Sequence, residues 1–324
     1  MLPQNMSDAE GIKALQNSYE HLNTEIEKVI IGQKHVIKDV LISIFSKGHC
    51  LLIGVPGLAK TLLVTTISRV LGLEYNRIQF TPDLMPSDII GAEIIDDNRQ
   101  FKFVKGPIFA NIILADEINR TPPKTQAALL EAMQEKAVTF GGTRYELSQP
   151  FFVLATQNPI EQEGTYALPE AQLDRFMMNV FVDYPTYKEE LQVVKATTSN
   201  YEAHLSKVLS QEDILYFQNL IRRIPITDNV LEYAVKMAVS TRPTSEFANK
   251  MVKDYLVYGA GPRASQNLII GAKCHAALSG KFSPDIEDVN AVATSILRHR
   301  IVKNYKAEAD GITIETIINS LMTR

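Results

Sequence analysis

Tryptophan is absent from this 324-residue chain, and cysteine occurs only twice, as Cys50 and Cys274. Two cysteines cannot build a disulfide framework or, unaided, a zinc site; they read as buried thiols in a reducing compartment. No excess of positive charge exists either. Lys and Arg number 33 against 37 Asp and Glu, a formal net charge of −4. That balance makes nucleic acid an unlikely partner, although a local basic patch can hide in an average. Long apolar runs are missing: stretches such as residues 112–115 fall far short of the roughly 20 residues that span a bilayer, so no membrane insertion is expected. The first 22 residues carry no basic segment followed by an apolar one and do not read as a signal peptide. The expected location is cytoplasmic. What remains is an ordinary globular composition, long enough for one large or two smaller domains.

Hydrophobic spacing supplies the organisation. Residues 7–30 place Leu15, Leu22, Ile26 and Ile30 at helical intervals, and a second helix is expected near 35–46. The period then changes. Short apolar runs at Cys50–Ile53, 112–115 and 151–155, with a weaker one at 179–182, suit buried parallel strands. Helical stretches at Lys60–Leu71, 122–134 and 169–176 separate them. This alternation predicts an α/β domain, a parallel sheet flanked by helices. Two hairpins interrupt it, 92–95 with 101–104 and 137–140 with 144–147. Each is too short to stand alone and is expected to lean on the main sheet or a neighbouring subunit. After Pro185 the strand signals stop. Residues 186–209 read as a connection, followed only by helices near 211–222, 228–238, 263–278, 284–297 and 313–322, with Ser210 and Ser283 as N-caps and Glu212 and Asp285 in first turns. The expected division is 1–190, N-terminal helices and α/β domain, and 191–324, a linker and a C-terminal all-α domain.

The chemistry begins where the first strand ends. Gly54, Val55, Pro56, Gly57, Leu58, Ala59, Lys60 and Thr61 run from a strand into a helix that continues with Leu62. Strand, glycine loop, Lys-Thr and helix form the context of a P-loop. Backbone N–H groups of such a loop face phosphate oxygens, Lys60 adds positive charge, and Thr61 offers a hydroxyl to Mg²⁺. Ala59 stands where the usual pattern has glycine; alanine is small and accepts helical dihedrals, so the loop is expected to close. A second apolar strand ends in Asp116 and Glu117, the first placed to hold Mg²⁺ and the second to polarise water. A third ends in Asn158, which either contacts the attacking water or simply makes an Asn-Pro turn. Arg175 and Arg263 could supply charge to a γ-phosphate, but spacing alone does not select them from the other arginines.

Together these residues resemble the MoxR branch of the AAA+ ATPases, nearly end to end. The specific stretches are 31–33 (IGQ), 54–61 (GVPGLAKT), 84–91 (LMPSDIIG), 106–109 (GPIF), 116–126 (DEINRTPPKTQ) and 168–176 (LPEAQLDRF). In that branch an Ala-Lys-Thr ending of the P-loop is usual. The resemblance implies an AAA+ core with a helical lid. Lys60 and Thr61 correspond to Walker A, Asp116 and Glu117 to Walker B, and Asn158 to the first sensor. Arg175 corresponds to the arginine finger acting on a neighbour's ATP, and Arg263 to the second sensor on the lid. Gly32 and Gln33 match the segment lining the adenine pocket, and Arg120 is a further interface candidate. The implied cofactors are ATP and Mg²⁺, with ATP between the α/β domain and the lid. The implied assembly is a homo-oligomer, a hexameric ring. It acts as a chaperone-like remodelling factor, with a protein partner bearing a von Willebrand factor A domain. Two rivals stand beside this reading. A DNA-remodelling motor shares the core, but the hairpins carry only a few basic residues, among them Arg99, Lys102, Lys105 and Arg144. A nucleotide-gated scaffold would bind ATP without useful turnover.

Removing the P-loop ammonium separates a phosphate cradle from a chance turn. Lys60→Ala is expected to lower affinity for a fluorescent ATP analogue at least about 100-fold, the loss of a charge-assisted phosphate contact; unchanged affinity in a fluorescence titration would defeat the P-loop reading.

Overall fold

Strand tips at one rim and helices over both faces are what the alternating pattern demands, and the computed structural model has this arrangement. It describes residues 6–95, 99–161, 164–198 and 203–322. The first five residues of the segment read as lacking a signal peptide, and 96–98 of the expected hairpin connection, lie outside them.

Helix α1 (Asp8–Glu27) starts in a capping box between Ser7 and Glu10, and α2 (Lys34–Phe45) follows a tight turn. Strand β1 (Cys50–Ile53) leads through the glycine loop into α3 (Lys60–Leu71) and β2 (Tyr75–Gln79). Next come α4 (Pro86–Ile90), the hairpin β3 (Gly91–Ile95) and β4 (Phe101–Lys105), strand β5 (Ile112–Asp116), a 3-10 turn, and α5 (Pro123–Glu135). A second hairpin, β6 (Ala137–Phe140) and β7 (Thr143–Glu146), precedes β8 (Phe152–Gln157), α6 (Glu170–Leu173) and β9 (Met178–Phe181). The five central strands lie in the order β2-β5-β8-β1-β9, with parallel pairings throughout. Parallel strands need crossovers, which the helices supply. Alternate side chains feed two cores: Cys50, Leu52, Ile112, Leu114 and Leu154 enter one, and Leu51, Ile113, Ala115, Val153 and Ala155 the other. Both cysteines are buried and free.

Two features of this half depart from the sequence reading. Strand β2 has no apolar run, because it sits at the sheet edge with only Ile78 buried. Residues 169–176 form a single turn of helix, α6, rather than a longer one. The second hairpin leans on the main sheet as expected, Val138 sharing a core with Leu51 and Val153, and the two hairpins also meet: Phe103 of β4 stacks on Phe140 at 5.0 Å and on Tyr145 at 4.4 Å, ring centre to ring centre.

Beyond the sheet, the expected connection contains a helix, α7 (Tyr187–Thr197), begun by a Thr186–Glu189 capping box and burying no residue fully. The C-terminal part comprises α8 (Gln211–Arg223), α9 (Asp228–Ser240), α10 (Lys250–Tyr255), α11 (Pro262–Leu278), α12 (Ile286–Leu297), α13 (Tyr305–Ala309) and α14 (Ile314–Asn319). It is not wholly helical: β10 (Leu256–Tyr258) and β11 (Val302–Lys303) form a small antiparallel ribbon, too short to register as a pattern. Ser210 caps α8 as expected. Ser283 does not cap α12; its hydroxyl donates to the Pro225 carbonyl, and Asp285 is the N-cap, accepting from the N–H groups of Glu287 and Asp288. Leu268, Val292 and Ile296 of the lid share one continuous core with β1, α1 and α2, so the lid is packed on the sheet's helical layer rather than hung from it. Among the described residues, no helix is long and apolar enough to cross a membrane.

His49, just before β1, ties this frame together at the rim where the strands begin. Its Nδ1 accepts from the Val153 N–H at 3.0 Å and its Nε2 donates to the Met133 carbonyl at 3.3 Å, while its own carbonyl accepts from the Met177 N–H at 2.8 Å. Burial lowers its pKa from 6.5 to about 4, against the opposing hydrogen bond to Met133. The unfolded chain therefore binds a proton there that the folded chain refuses. The contribution is complete above pH 6.5 and is lost as pH falls through about 4, roughly 3 kcal/mol in all. Urea unfolding of wild type and His49→Asn between pH 7 and 4.5 is expected to show a shallower pH dependence in the variant; equal slopes would mean that His49 is not held neutral.

Candidate active site

The P-loop closes at the cost of one strained residue. Gly54 lies against β9, where a Cβ would come within 2.7 Å of the Val182 carbonyl oxygen, and Gly57 has φ +86°. Ala59 has φ +55° and ψ +23°, the left-handed region rather than the helical one expected. This conformation explains why glycine is usual there; an L-residue in it costs about 1–2 kcal/mol. The first N–H groups of α3 have no helical acceptor and face the loop. Lys60 donates to the Gly54 carbonyl. Burial lowers its pKa, while Asp116 and Glu117 pull in the opposite direction.

Pro56, Gly57, Leu58, Ala59, Lys60, Thr61 and Leu62 line a cavity of about 440 Å³ together with Asp116, Glu117 and Asn158. Three strand tips thus meet the loop at one rim, as parallel α/β sheets arrange their ligand sites. Gly54 and Val55 lie beneath the loop and do not line the cavity. Thr156, fully buried on β8, fixes the acidic pair: its hydroxyl donates to Asp116 Oδ1 at 2.6 Å and accepts from the Glu117 N–H at 2.8 Å. Glu117 has φ +58°, which turns its side chain off the strand direction. Asn158 uses its Oδ1 to accept from the Ile160 N–H at 3.1 Å, so the Asn-Pro turn is present and the residue still borders the cavity.

Two residues at this site were not legible in the sequence. Arg77 and Gln79 project from the same side of β2 toward Asp116 and Glu117. Arg77 donates to Asp116 Oδ2 through Nη2 at 2.6 Å and Nε at 3.1 Å. Gln79 Nε2 donates to Glu117 Oε2 at 3.0 Å, and Arg120 donates to the same oxygen at 3.2 Å. Arg120 also pairs with Glu161. Finding Arg77 and Gln79 would have required recognising β2, since only the pairing Gln79 with Asp116 brings them alongside.

Gln33 lines a separate cavity of about 490 Å³, with Ile31, His35, Asp183, Tyr184 and Glu189, and Gly32 stands between Ile31 and Gln33 without lining it. Gly32 has φ +72°, and a Cβ there would strike the Glu189 carboxylate. Gln33 Nε2 donates to the Leu58 carbonyl at 3.3 Å, linking this cavity to the P-loop.

Arg175 and Arg263 are elsewhere. The register pairs Cys50 with Met178, so Arg175, three residues earlier, lies at the rim where strands begin. The P-loop leaves β1 at the other rim, about 10 Å along the strand and beyond. Arg175 Nη1 donates to the Leu130 carbonyl at 2.6 Å, and Arg263 pairs with Asp174 at 2.8 Å. Arg263, expected as the second sensor, is thus held by the residue that precedes Arg175, and neither arginine lines the P-loop cavity.

The P-loop cavity fits a polyphosphate with a hard divalent ion. It holds a half-buried ammonium that donates to a carbonyl, free helix-start N–H groups, a hydroxyl from Thr61 and a carboxylate from Asp116. Among the described residues no group of three or more His, Cys, Asp or Glu could hold a metal by itself.

Comparison with known proteins agrees with the geometry. Residues 49–178 match the family described as "ATPase family associated with various cellular activities (AAA)", and residues 248–321 match the AAA lid domain. Chaperone MoxR1 of Mycobacterium tuberculosis is 42% identical over 97% of this chain and 83% of its own length. Protein YeaC of Bacillus subtilis is 39% identical over 95% and 93%, and Protein MoxR of Methylorubrum extorquens 29% identical over 86% and 85%. A solved structure of a candidate ATPase from Cytophaga hutchinsonii superposes with a TM-score of 0.90 at 44% identity, covering 97% of each chain. With sheet order, lid and sequence in accord, the chain belongs to the MoxR family of AAA+ ATPases.

Proposed function

We propose that the chain hydrolyses ATP in a homo-oligomeric ring, hexameric as the family resemblance implies, and uses the cycle to remodel a protein partner. The observation that carries this reading is the separation of two halves of one site: P-loop, Asp116, Glu117 and Asn158 at one rim, Arg175 and Arg263 at the other. A ring joins the halves head to tail.

In this reading Lys60 and the N–H groups of α3 hold the phosphates. Thr61 and Asp116 would hold Mg²⁺, which when bound neutralises charge on the phosphate oxygens. Glu117 orients water once it is released from Gln79 and Arg120, with Asn158 beside it. Arg175, accompanied by Arg263, reaches the next subunit's nucleotide and stabilises the developing charge. Gln33 borders the base pocket. The chaperone-like role rests on the name of the M. tuberculosis relative. A partner with a von Willebrand factor A domain and a cytoplasmic setting rest on the family resemblance. The DNA-motor reading gains little: Arg144 is paired with Glu146 at 2.8 Å, and Lys105 lies over the Phe109 ring.

Phosphate release from Mg-ATP tests the scheme. Glu117→Gln and Arg175→Ala alone are each expected to lose about 100-fold or more. A 1:1 mixture is expected to recover activity, because about a quarter of the interfaces then join an intact P-loop site to an intact arginine face. Turnover near wild type in Glu117→Gln would move the base elsewhere, and no recovery in the mixture would refute an arginine acting between subunits. Salt-sensitive DNA binding would favour the motor, and ATP binding without turnover in wild type the scaffold.

A further inference from the structure

The turn that carries Arg175 is wrapped around a single arginine of the lid. Arg300 follows α12, and its side chain is 2% exposed. Its Nη2 donates to the carbonyls of Asp174, at 3.1 Å, and Phe176, at 2.6 Å. Its Nη1 donates to Met177 O at 3.1 Å and to the Ile296 carbonyl of its own helix, and its Nε to Asp174 Oδ1 at 2.8 Å. The neighbouring His299 adds a bond to the Phe176 carbonyl at 3.0 Å. The backbone on both sides of Arg175 is therefore held by lid donors. Asp174 spends its second oxygen, Oδ2, on Arg263 Nη1 at 2.8 Å. One carboxylate thus lies between two guanidinium groups, one buried and structural, the other 45% exposed.

This arrangement is specific to arginine. Five N–H donors in a planar fork meet a carboxylate and several carbonyls at once, which a lysine ammonium on a flexible stem does not reproduce. Burial lowers the Arg300 pKa to about 10, with Asp174 opposing the shift, so the group stays charged at neutral pH. A buried charge is retained where its partners satisfy it fully, and such a group fixes geometry more than it adds stability.

We propose that Arg300 and Asp174 are positioning residues for catalysis in the adjacent subunit: they weld the lid to the Arg175 turn and set Arg263 beside it, so that the lid and both arginines of one chain act as one body on the neighbour's nucleotide. This rests on the reading of Arg175 as acting between subunits. The site that Asp174 and Arg300 serve is then not the P-loop site of their own chain, which lies at the opposite rim.

The position of the defect distinguishes this role from a merely structural one. Asp174→Asn keeps the shape of the side chain and removes its charge; Arg300→Lys keeps the charge and removes the fork. Each full-length variant is expected to bind a fluorescent ADP analogue at its own P-loop within about twofold of wild type. Each is also expected to release phosphate about tenfold more slowly or worse, the scale of a misplaced catalytic group. Mixed 1:1 with Glu117→Gln, each is expected to regain activity as Arg175→Ala does. Wild-type turnover in Asp174→Asn, loss of nucleotide binding by the variant's own P-loop, or failure to recover in a mixture where Arg175→Ala recovers would each overturn the proposal. Failure of Arg175→Ala itself to recover would instead remove the between-subunit reading, and the proposal with it. If Arg300→Lys does not fold, as judged by thermal melting, Asp174→Asn carries the test.

Discussion

A parallel sheet has two unlike rims, and the rest of this molecule follows from where β1 lies between them. Pairing β1 with β8 on one side and β9 on the other puts the glycine loop, Asp116, Glu117 and Asn158 at the rim where strands end. The same pairing forces the segment before β9, with Asp174 and Arg175, to the rim where strands begin. No side-chain rearrangement brings Arg175 round to its own P-loop without unpairing β9, and β9 is held by His49 as well as by the ladder. The separation of the two halves is a property of the topology, not of one conformation.

At the P-loop rim the charges are paired before any ligand arrives. Asp116 is engaged by Arg77 and Thr156, and Glu117 by Gln79 and Arg120. An unpaired carboxylate in such a half-buried setting would carry a desolvation cost, and these donors offset it. Under the proposed binding of ATP and Mg²⁺, entry of phosphate oxygens and a divalent ion would exchange one satisfied network for another. Both arginines are two-fifths or more exposed, so they can leave without stranding a buried charge. Thr156 is different: it is fully buried and bonded to both Asp116 and the Glu117 backbone, and it keeps the pair in register throughout.

Legibility in the sequence tracked how local the cause of each feature was. The strands β1, β5 and β8 announce themselves because burial on both faces demands continuous apolar runs, and α3 announces itself because a glycine loop must lead somewhere. Strand β2 was silent because an edge strand needs no such run, and with it Arg77 and Gln79 were lost from the site. The ribbon of β10 and β11 and the helix α7 were lost for related reasons, the one too short for a period and the other with no fully buried face. The Ala59 conformation was misjudged because the loop's dihedrals depend on the ligand cradle rather than on helix propensity. Arg263 was singled out by family resemblance alone, and its pairing with Asp174 depends on how the lid packs, which no local pattern encodes.

The packing of the lid also limits how motion can pass through the chain. Leu268, Val292 and Ile296 share a core with β1 and with the first two helices, and close-packed interiors move as blocks rather than deforming smoothly. A lid joined this way, and pinned at Arg300 to the turn before β9, cannot swing independently of the arginine face. Helix α7, by contrast, borders the cavity at Gln33 through Glu189 and has no fully buried residue. Local openings are drawn from elements with few buried contacts. Local opening is therefore less costly at α7 than at the interface of lid and sheet.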